Sequence, residues 1–495
     1  MKKGFWTTDW FAGVVVTLAF LFTSNTSLLQ GLERTAYDFG VRATTSAPSE
    51  RVAVVAIDDE SIANLGRWPW SRDIHADLID VLAEGGAKVI GHTVFFLEPQ
   101  IDPGLAYINQ LADFLAESSL TRELPGDSEL LGAMLNDAAE AQPEDLPEAS
   151  RQAMDDLLAF YGQSSLSGRA VADLEKLGSR LVEAEAALNT DRMLAESFAE
   201  SGNVILGMPL IIGEPQGKPD NPLPGYVRRD ALMNVDDRIG AVDNGLFPIP
   251  TVAAIPPIPE LGSTAQAVGH LNAVPDVDGG IRTEPLVLLH YDTYLPSLAL
   301  QIAAHSLNLT PEDIRVHLGE GVDLGRLSIR TDPSLQMNTF FYGEREGGRP
   351  AFPVDSVYDI ISGKIPPEKY ADKIVLIGAT AVGVGSPQVT PVSPAMPPVL
   401  TLAHSVSSIL NEDFFVVPEW AIWAEWGAFL LVALYLILLL PRVRAGMGAG
   451  ITAVLFLTLI IVHLVMMTTQ TQWLQLMVPA TLLLVVHLVL TTKRF

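Results

Sequence analysis

Three consecutive stretches, VAVVAID (52–58), HADLIDVLAEGG (75–86) and AKVIGHTVFF (87–96), decide the fold class. The first and third are nearly unbroken apolar runs, the pattern of strands buried on both faces and hence of parallel pairing. The second sets Leu78, Ile79 and Leu82 at helical spacing and ends on Gly85 and Gly86, a helix stop. Strand, helix and strand make a βαβ unit. Its right-handed crossover predicts that Asp58, Asp59 and the loop after them lie at the carboxyl edge of the sheet. Ligands of open α/β sheets collect at that edge.

The loop reads RWPWSR (67–72). Pro69 fixes its own φ and biases Trp68 toward extended backbone, so the two indole rings are held in place. Two readings follow. In a recognition loop, Arg67 or Arg72 donates to a carboxylate or phosphate and Trp68 or Trp70 stacks on an organic group. In a structural corner, the rings seal the sheet edge and Arg67 or Arg72 pairs with Asp58 or Asp59. With His75 these residues form one candidate ligand-binding set.

Residues from about 104 to 200 read as a helical insertion rich in Ala, Leu, Glu and Asp. Leu174, Leu177, Leu181, Ala184 and Leu188 step by three and four, a heptad seam that suits a helical hairpin. QPEDLPEAS (142–150) breaks the helices. Strand character resumes at NVILGMPLII, and a Pro/Gly-rich loop spans 213–226. GHLNAV, IRTEPLVLLHY, RLSI, MNTFFYG and KIVLIGATA read as strands. PSLALQIAAHSL, with Pro296 in its first turn, PVDSVYDIISG and LTLAHSVSSILNE read as helices. The expected fold class is α/β, a mixed-sheet domain over 31–419 carrying the insertion, plus transmembrane helices.

The chain has 495 residues, 58 Asp and Glu against 31 Lys and Arg, and a formal net charge of -27, which argues against a nucleic-acid partner. Yet 48% of residues are hydrophobic, because the apolar residues crowd the two ends while the acids fill the middle. Four stretches have the length of a bilayer crossing, about 20 residues: 10–29, 421–440, 448–467 and 473–490, the last with Pro479 as a kink. Lys2 and Lys3, Arg442 and Arg444, and Lys493 and Arg494 mark cytoplasmic sides. Residues 1–9 and 491–495 then lie in the cytoplasm and 31–419 outside it. Trp420, Trp423, Trp426 and Trp473 suit the outer interface. The expected setting is a bacterial inner membrane with the lipid bilayer as one partner. His463 and His487 fall inside spans, where each needs a hydrogen-bond partner or senses protons.

PDVDGG (275–280) opens like a calcium loop but has Gly280 where the pattern needs its third acid or amide, so it reads as a turn braced by Arg282. Asp276, Asp278 and Arg282 join the candidate ligand-binding residues. IGATAVGVG follows a strand but lacks the Lys-Ser/Thr of a phosphate loop. No cysteine is present, no metal spacing appears, and no nucleophile motif is found. Neither catalysis nor a cofactor is expected within these residues.

The ordered segments AIDDESIANLGRWPWSRDIHADLIDVLAEGGAKVIG, GHLNAVPDVDGGIRTEPL with LPSLALQIA, and KIVLIGATAVGVGSPQVTPVSPAMP resemble the CHASE2 family of bacterial extracytoplasmic sensor domains. One span before the domain and three after it is a similar layout. The resemblance implies a sensor of an extracytoplasmic ligand or protein with a cytoplasmic cyclase or serine/threonine kinase output that would follow the TTKRF end; the expected assembly is a homodimer, for which the helical insertion offers a contact. The chain departs from the family pattern at His92-Thr93, at Ser386 and over 397–403, where two acids, a Glu and a His are replaced. A polar site built from those groups in relatives is lost or rebuilt here. The competing expectation is a non-signalling membrane-tethered scaffold that uses the helical insertion as its contact surface.

Overall fold

A computed structural model describes residues 9–23, 26–100, 102–141, 143, 146–164, 168–345 and 347–494. The expected cytoplasmic start at 1–9 therefore lies almost wholly outside the described residues, as do Phe495 and part of the break at 142–150. In chain order the first elements are α1 (Asp9–Thr23), α2 (Ser27–Ala43), β1 (Val52–Ile57), α3 (Asp59–Leu65), α4 (Arg72–Glu84) and β2 (Val89–His92). The main sheet continues with β3 (Val204–Met208) and β4 (Ala267–His270). Then come α5 (Leu298–Ser306), β5 (Val354–Ser356), β6 (Ile374–Ala379) and α6 (Pro398–Asn411).

The six strands pair in the order β5-β1-β6-β2-β3-β4, all parallel. All six residues of β1 are buried, as a doubly covered strand requires. β1 and β2 are joined by α4 but are not neighbours, because β6, arriving nearly 300 residues later, slots between them. α5 lies against β2, β3 and β4, and α6 against β1 and β6. The contact between α5 and β4 is close: a Cβ on Gly269 would meet the Leu298 backbone at 2.7 Å. Three smaller sheets, two of four strands and one of three, complete the domain. Two expectations over this region need correction. Pro296 ends a strand, Thr293–Pro296, and Ser297 caps α5 by accepting from the Leu300 N–H at 3.1 Å. The stretch PVDSVYDIISG divides into β5 and a short helix, Val357–Ile361.

Ser71–Ala76 and Glu98–Ser197 form a second compact unit. It is helical, with Pro103–Glu117 and Arg169–Leu188 packed lengthwise on each other and Leu124–Glu140 and Glu148–Gln163 beside them, more than the expected hairpin. Asp102 caps the first helix with Pro103 at its opening position. Of the heptad seam, Leu181 is buried and Leu177 is exposed.

Among the described residues two helices are long and apolar enough to cross a membrane: α7 (Ala421–Arg442, 22 residues) and α8 (Ala445–Gln470, 26 residues). The first expected span is instead the pair α1 and α2, bent by 78°, a third crossing only if the pair is one span. The fourth, expected over 473–490, is a shorter apolar helix within α9 (Met477–Arg494). The four-span count is thus corrected to two or three. The physical cause is local. Residues 473–476 are not helical, with the Trp473 N–H donating to the Val416 carbonyl at 3.0 Å and the Gln475 N–H to Glu425 at 2.8 Å. Pro479 falls in the first turn of α9, where it removes no helix hydrogen bond and makes no kink.

Candidate functional site

The acids that end β1 have local duties. Asp58 caps α3, its Oδ1 accepting from the Ser61 N–H at 2.8 Å and from the Ser356 hydroxyl at 2.9 Å. Asp59 accepts from the Val382 N–H at 3.3 Å. Among the described residues neither pairs with an arginine. Arg67 is exposed and makes no ion pair among the described residues. Arg72 pairs with Asp191 at 3.2 Å and also donates to the Glu98 carbonyl, both within the helical unit. The expected bridge from Arg67 or Arg72 to Asp58 or Asp59 is therefore corrected: the cation that the insertion needs is spent on its own acid. The rings do form a corner. Trp70 is buried, its indole N–H donates to the Gly66 carbonyl at 2.8 Å, and Trp68 meets it edge to face at 5.3 Å. His75 is buried, and burial lowers its pKa to about 3.

Asp276, Asp278 and Arg282 come together, and they meet α2. Arg282 is 5% exposed and forks twice: to Asp38 of α2 at 2.8 and 2.9 Å, and to Asp278 at 2.7 Å through both terminal nitrogens. Arg34 of α2 pairs with Asp276. The hydrogen bonds from Arg282 hold the Asp278 carboxyl below its usual range. Burial works against the Arg282 charge, but the two carboxylate forks outweigh it and raise its pKa. The turn itself is closed by Gly279, at φ 83°, and by the Asp276 N–H donating to the Gly280 carbonyl.

The adjoining face of α2 is fixed to the apolar helices. Glu33 accepts from the N–H groups of Met477 and Val478 at 2.7 and 2.9 Å, capping the start of α9. Tyr37 is fully buried between Phe415 and Trp473, with ring centroids at 5.4 and 4.8 Å, and the Arg34 guanidinium lies 4.9 Å over the Trp473 ring. Gly40 lets α8 approach: a Cβ there would lie 3.0 Å from the Met467 side chain. The ring nitrogens of His463 face two backbone carbonyls, Leu474 and Ala36, both at 3.1 Å. A neutral ring donates to one of them and an imidazolium to both. His487 meets Thr452 of α8 at 2.9 Å, a contact between helices.

None of Glu33, Arg34, Tyr37 or Asp38 was singled out in the sequence. The available signal was GLERTAYDFGVRA, where Glu33, Tyr37 and Val41 repeat at four-residue spacing and Arg34, Asp38 and Arg42 form a second such row. The positions at which the chain departs from the CHASE2 pattern do converge in part. A Cβ on Gly378, at the end of β6, would lie 2.5 Å from the Thr93 hydroxyl and 2.6 Å from Val399. His92 is buried beside them, its Nδ1 3.2 Å from the Val94 N–H. Among the described residues no group of three His, Asp or Glu could hold a metal ion.

No curated protein and no solved structure matches this chain. The CHASE2 domain family matches residues 12–441, a range that runs from α1 to the end of α7. With most of its length so matched, the chain belongs to the CHASE2 family of extracytoplasmic sensor domains.

Proposed function

We propose that this chain senses a signal outside the membrane and passes it inward through α2. The observation that carries the reading is that one helix holds both connections. Arg34 and Asp38 tie it to the turn at 275–282, and Glu33, Tyr37 and the Ala36 carbonyl tie it to α8, α9 and the segment between them. A displacement of the turn by a ligand or protein therefore reaches the membrane helices through a rigid element with charged contacts on one face and packed rings on the adjoining one. A ligand shifts this equilibrium only through unequal affinity for the two arrangements. The positive-inside pattern supports an exported domain in a bacterial inner membrane, with α7 and α8 in the membrane part and the pair α1 and α2 as a third crossing if it is one span, and the receptor acts as a homodimer.

The test inserts a cyclase reporter into the turn between α7 and α8, beside Arg444, and compares basal output. Arg282→Gln and Asp38→Asn each change the output, and the exchange Asp38→Arg with Arg282→Asp returns it toward the starting level. Equal output from all four proteins refutes the relay. A second reading, a scaffold contact through the helical unit, is favoured by Tyr107, Leu111 and Phe114. These three share one helix face and are 68%, 53% and 70% exposed. A stoichiometric partner that is lost when 104–190 is deleted supports it, and an unchanged set of co-purifying proteins removes it.

A further inference from the structure

β6 is followed by a long loop that returns the chain to the start of α6, beside the carboxyl edge of the main sheet. There a cavity of about 170 Å³ opens between that loop, the first turns of α6 and the segment after strand Gln336–Thr339. Its inner wall is aromatic and buried: Tyr342, Phe352 and His404 are each at most 3% exposed, and Met396 and Leu400 close the sides. Tyr342 stacks on His404 at 5.7 Å and Phe352 stands edge-on to it at 5.0 Å. The buried polar group is His404, while Glu344 and Ser393 are further polar residues of the lining. The His404 Nδ1 accepts from the Tyr342 N–H at 3.1 Å, which leaves the proton on Nε2. Nε2 has no hydrogen-bond partner among the described residues, although the side chain is nearly fully buried. Burial lowers the pKa of the ring to about 3, so the group is a neutral donor.

We infer that this cavity binds a small neutral molecule built on a single ring and carrying one hydrogen-bond acceptor, which Nε2–H of His404 receives. The volume limits the inserted group to about one ring, because an apolar cavity of about 150 Å³ accommodates a benzene-sized guest. Charge excludes anions, since the donor is neutral and the rim carries Glu344. The cavity also neighbours the relay: Pro391, adjacent to the lining residue Val392, accepts a hydrogen bond from Arg42 of α2 at 2.5 Å. Binding itself is measurable whether or not the relay operates.

The probes are benzamide, which has a ring and a carbonyl, and toluene, which has the ring alone. They are titrated into the full chain in nanodiscs by calorimetry, with the Met396 methyl resonance as a local reporter. Wild-type protein binds both and the Met396 signal shifts with each. His404→Phe keeps a ring in place, weakens benzamide about tenfold and leaves toluene unchanged. Leu400→Trp fills the cavity, abolishes both titrations and leaves His404 intact, so it decides the matter if His404→Phe does not fold. Absence of binding to the wild type, or retention of both probes by Leu400→Trp, overturns the site. Equal losses of benzamide and toluene in a folded His404→Phe overturn the role of Nε2.

Discussion

Replacing Arg282 by Met keeps an unbranched aliphatic stem and removes the guanidinium charge and its forks. Asp38, Asp276 and Asp278 then face one another, with Arg34 left to serve Asp276 alone. Removing one partner of a fully buried ion pair costs about 3–5 kcal/mol, because the other charge is stranded. Here the Asp38 and Asp278 side chains keep 17% and 33% of their exposure, so water screens part of the loss. A cost of about 2–4 kcal/mol follows. At roughly 2 °C per kcal/mol for a domain of this size, the thermal midpoint falls by about 4–8 °C. Midpoints are compared at one scan rate, since unfolding of such a chain is under kinetic control. Hydrogen exchange locates the loss: the amides of α2 exchange about 100-fold faster, while those of β1 and β6 change less. Arg282→Lys retains the charge but not the two forks and falls between the two proteins. A midpoint shift under 1 °C together with unaltered α2 protection refutes the claim that this arginine docks the helix.

Three further outcomes follow. Glu284 is buried against Ser405, and burial raises its pKa to about 7 from 4.5. Its contribution is therefore present below about pH 4.5 and lost as pH rises through 7, roughly 3 kcal/mol in all. The midpoint of the wild type thus falls between pH 5 and pH 8, and Glu284→Gln flattens that portion of the profile. Asp58→Ala removes the α3 cap and costs about 1–2 kcal/mol in denaturant titration, with no change in exchange protection of the helical unit. Gly269→Ala drives a methyl into the Leu298 backbone and costs about 2–3 kcal/mol by the same titration; a neutral result contradicts the described packing of α5 on β4.

The strands were legible because the burial of β1 and β6 is written into uninterrupted apolar runs. Their order was not, since the composition of β6 says that it is central but not that it separates β1 from β2. Asp58 illustrates a missed local rule. An acid three residues before Ser61 is a helix cap, yet its position after a strand made it look like a ligand group. Arg72 looked free to serve Asp58 or Asp59 because its partner, Asp191, is far away in sequence. The junction escaped for a similar reason. Asp276, Asp278 and Arg282 stood out as a turn, but Arg34 and Asp38, over 240 residues earlier, complete the cluster from a stretch just after the first expected span that carried no motif. Residues 473–490 counted as a crossing by hydropathy alone, which is blind to the pairing of Trp473 with Val416.

The account stands on the α/β domain lying across the membrane from the turn between α7 and α8. Because the chain has no cysteine, single cysteines can be placed at Asn221 and at Gly446 without background. In intact spheroplasts an impermeant maleimide is expected to label Asn221→Cys at once and Gly446→Cys only after lysis. Protection of Asn221→Cys together with immediate labelling of Gly446→Cys contradicts the account.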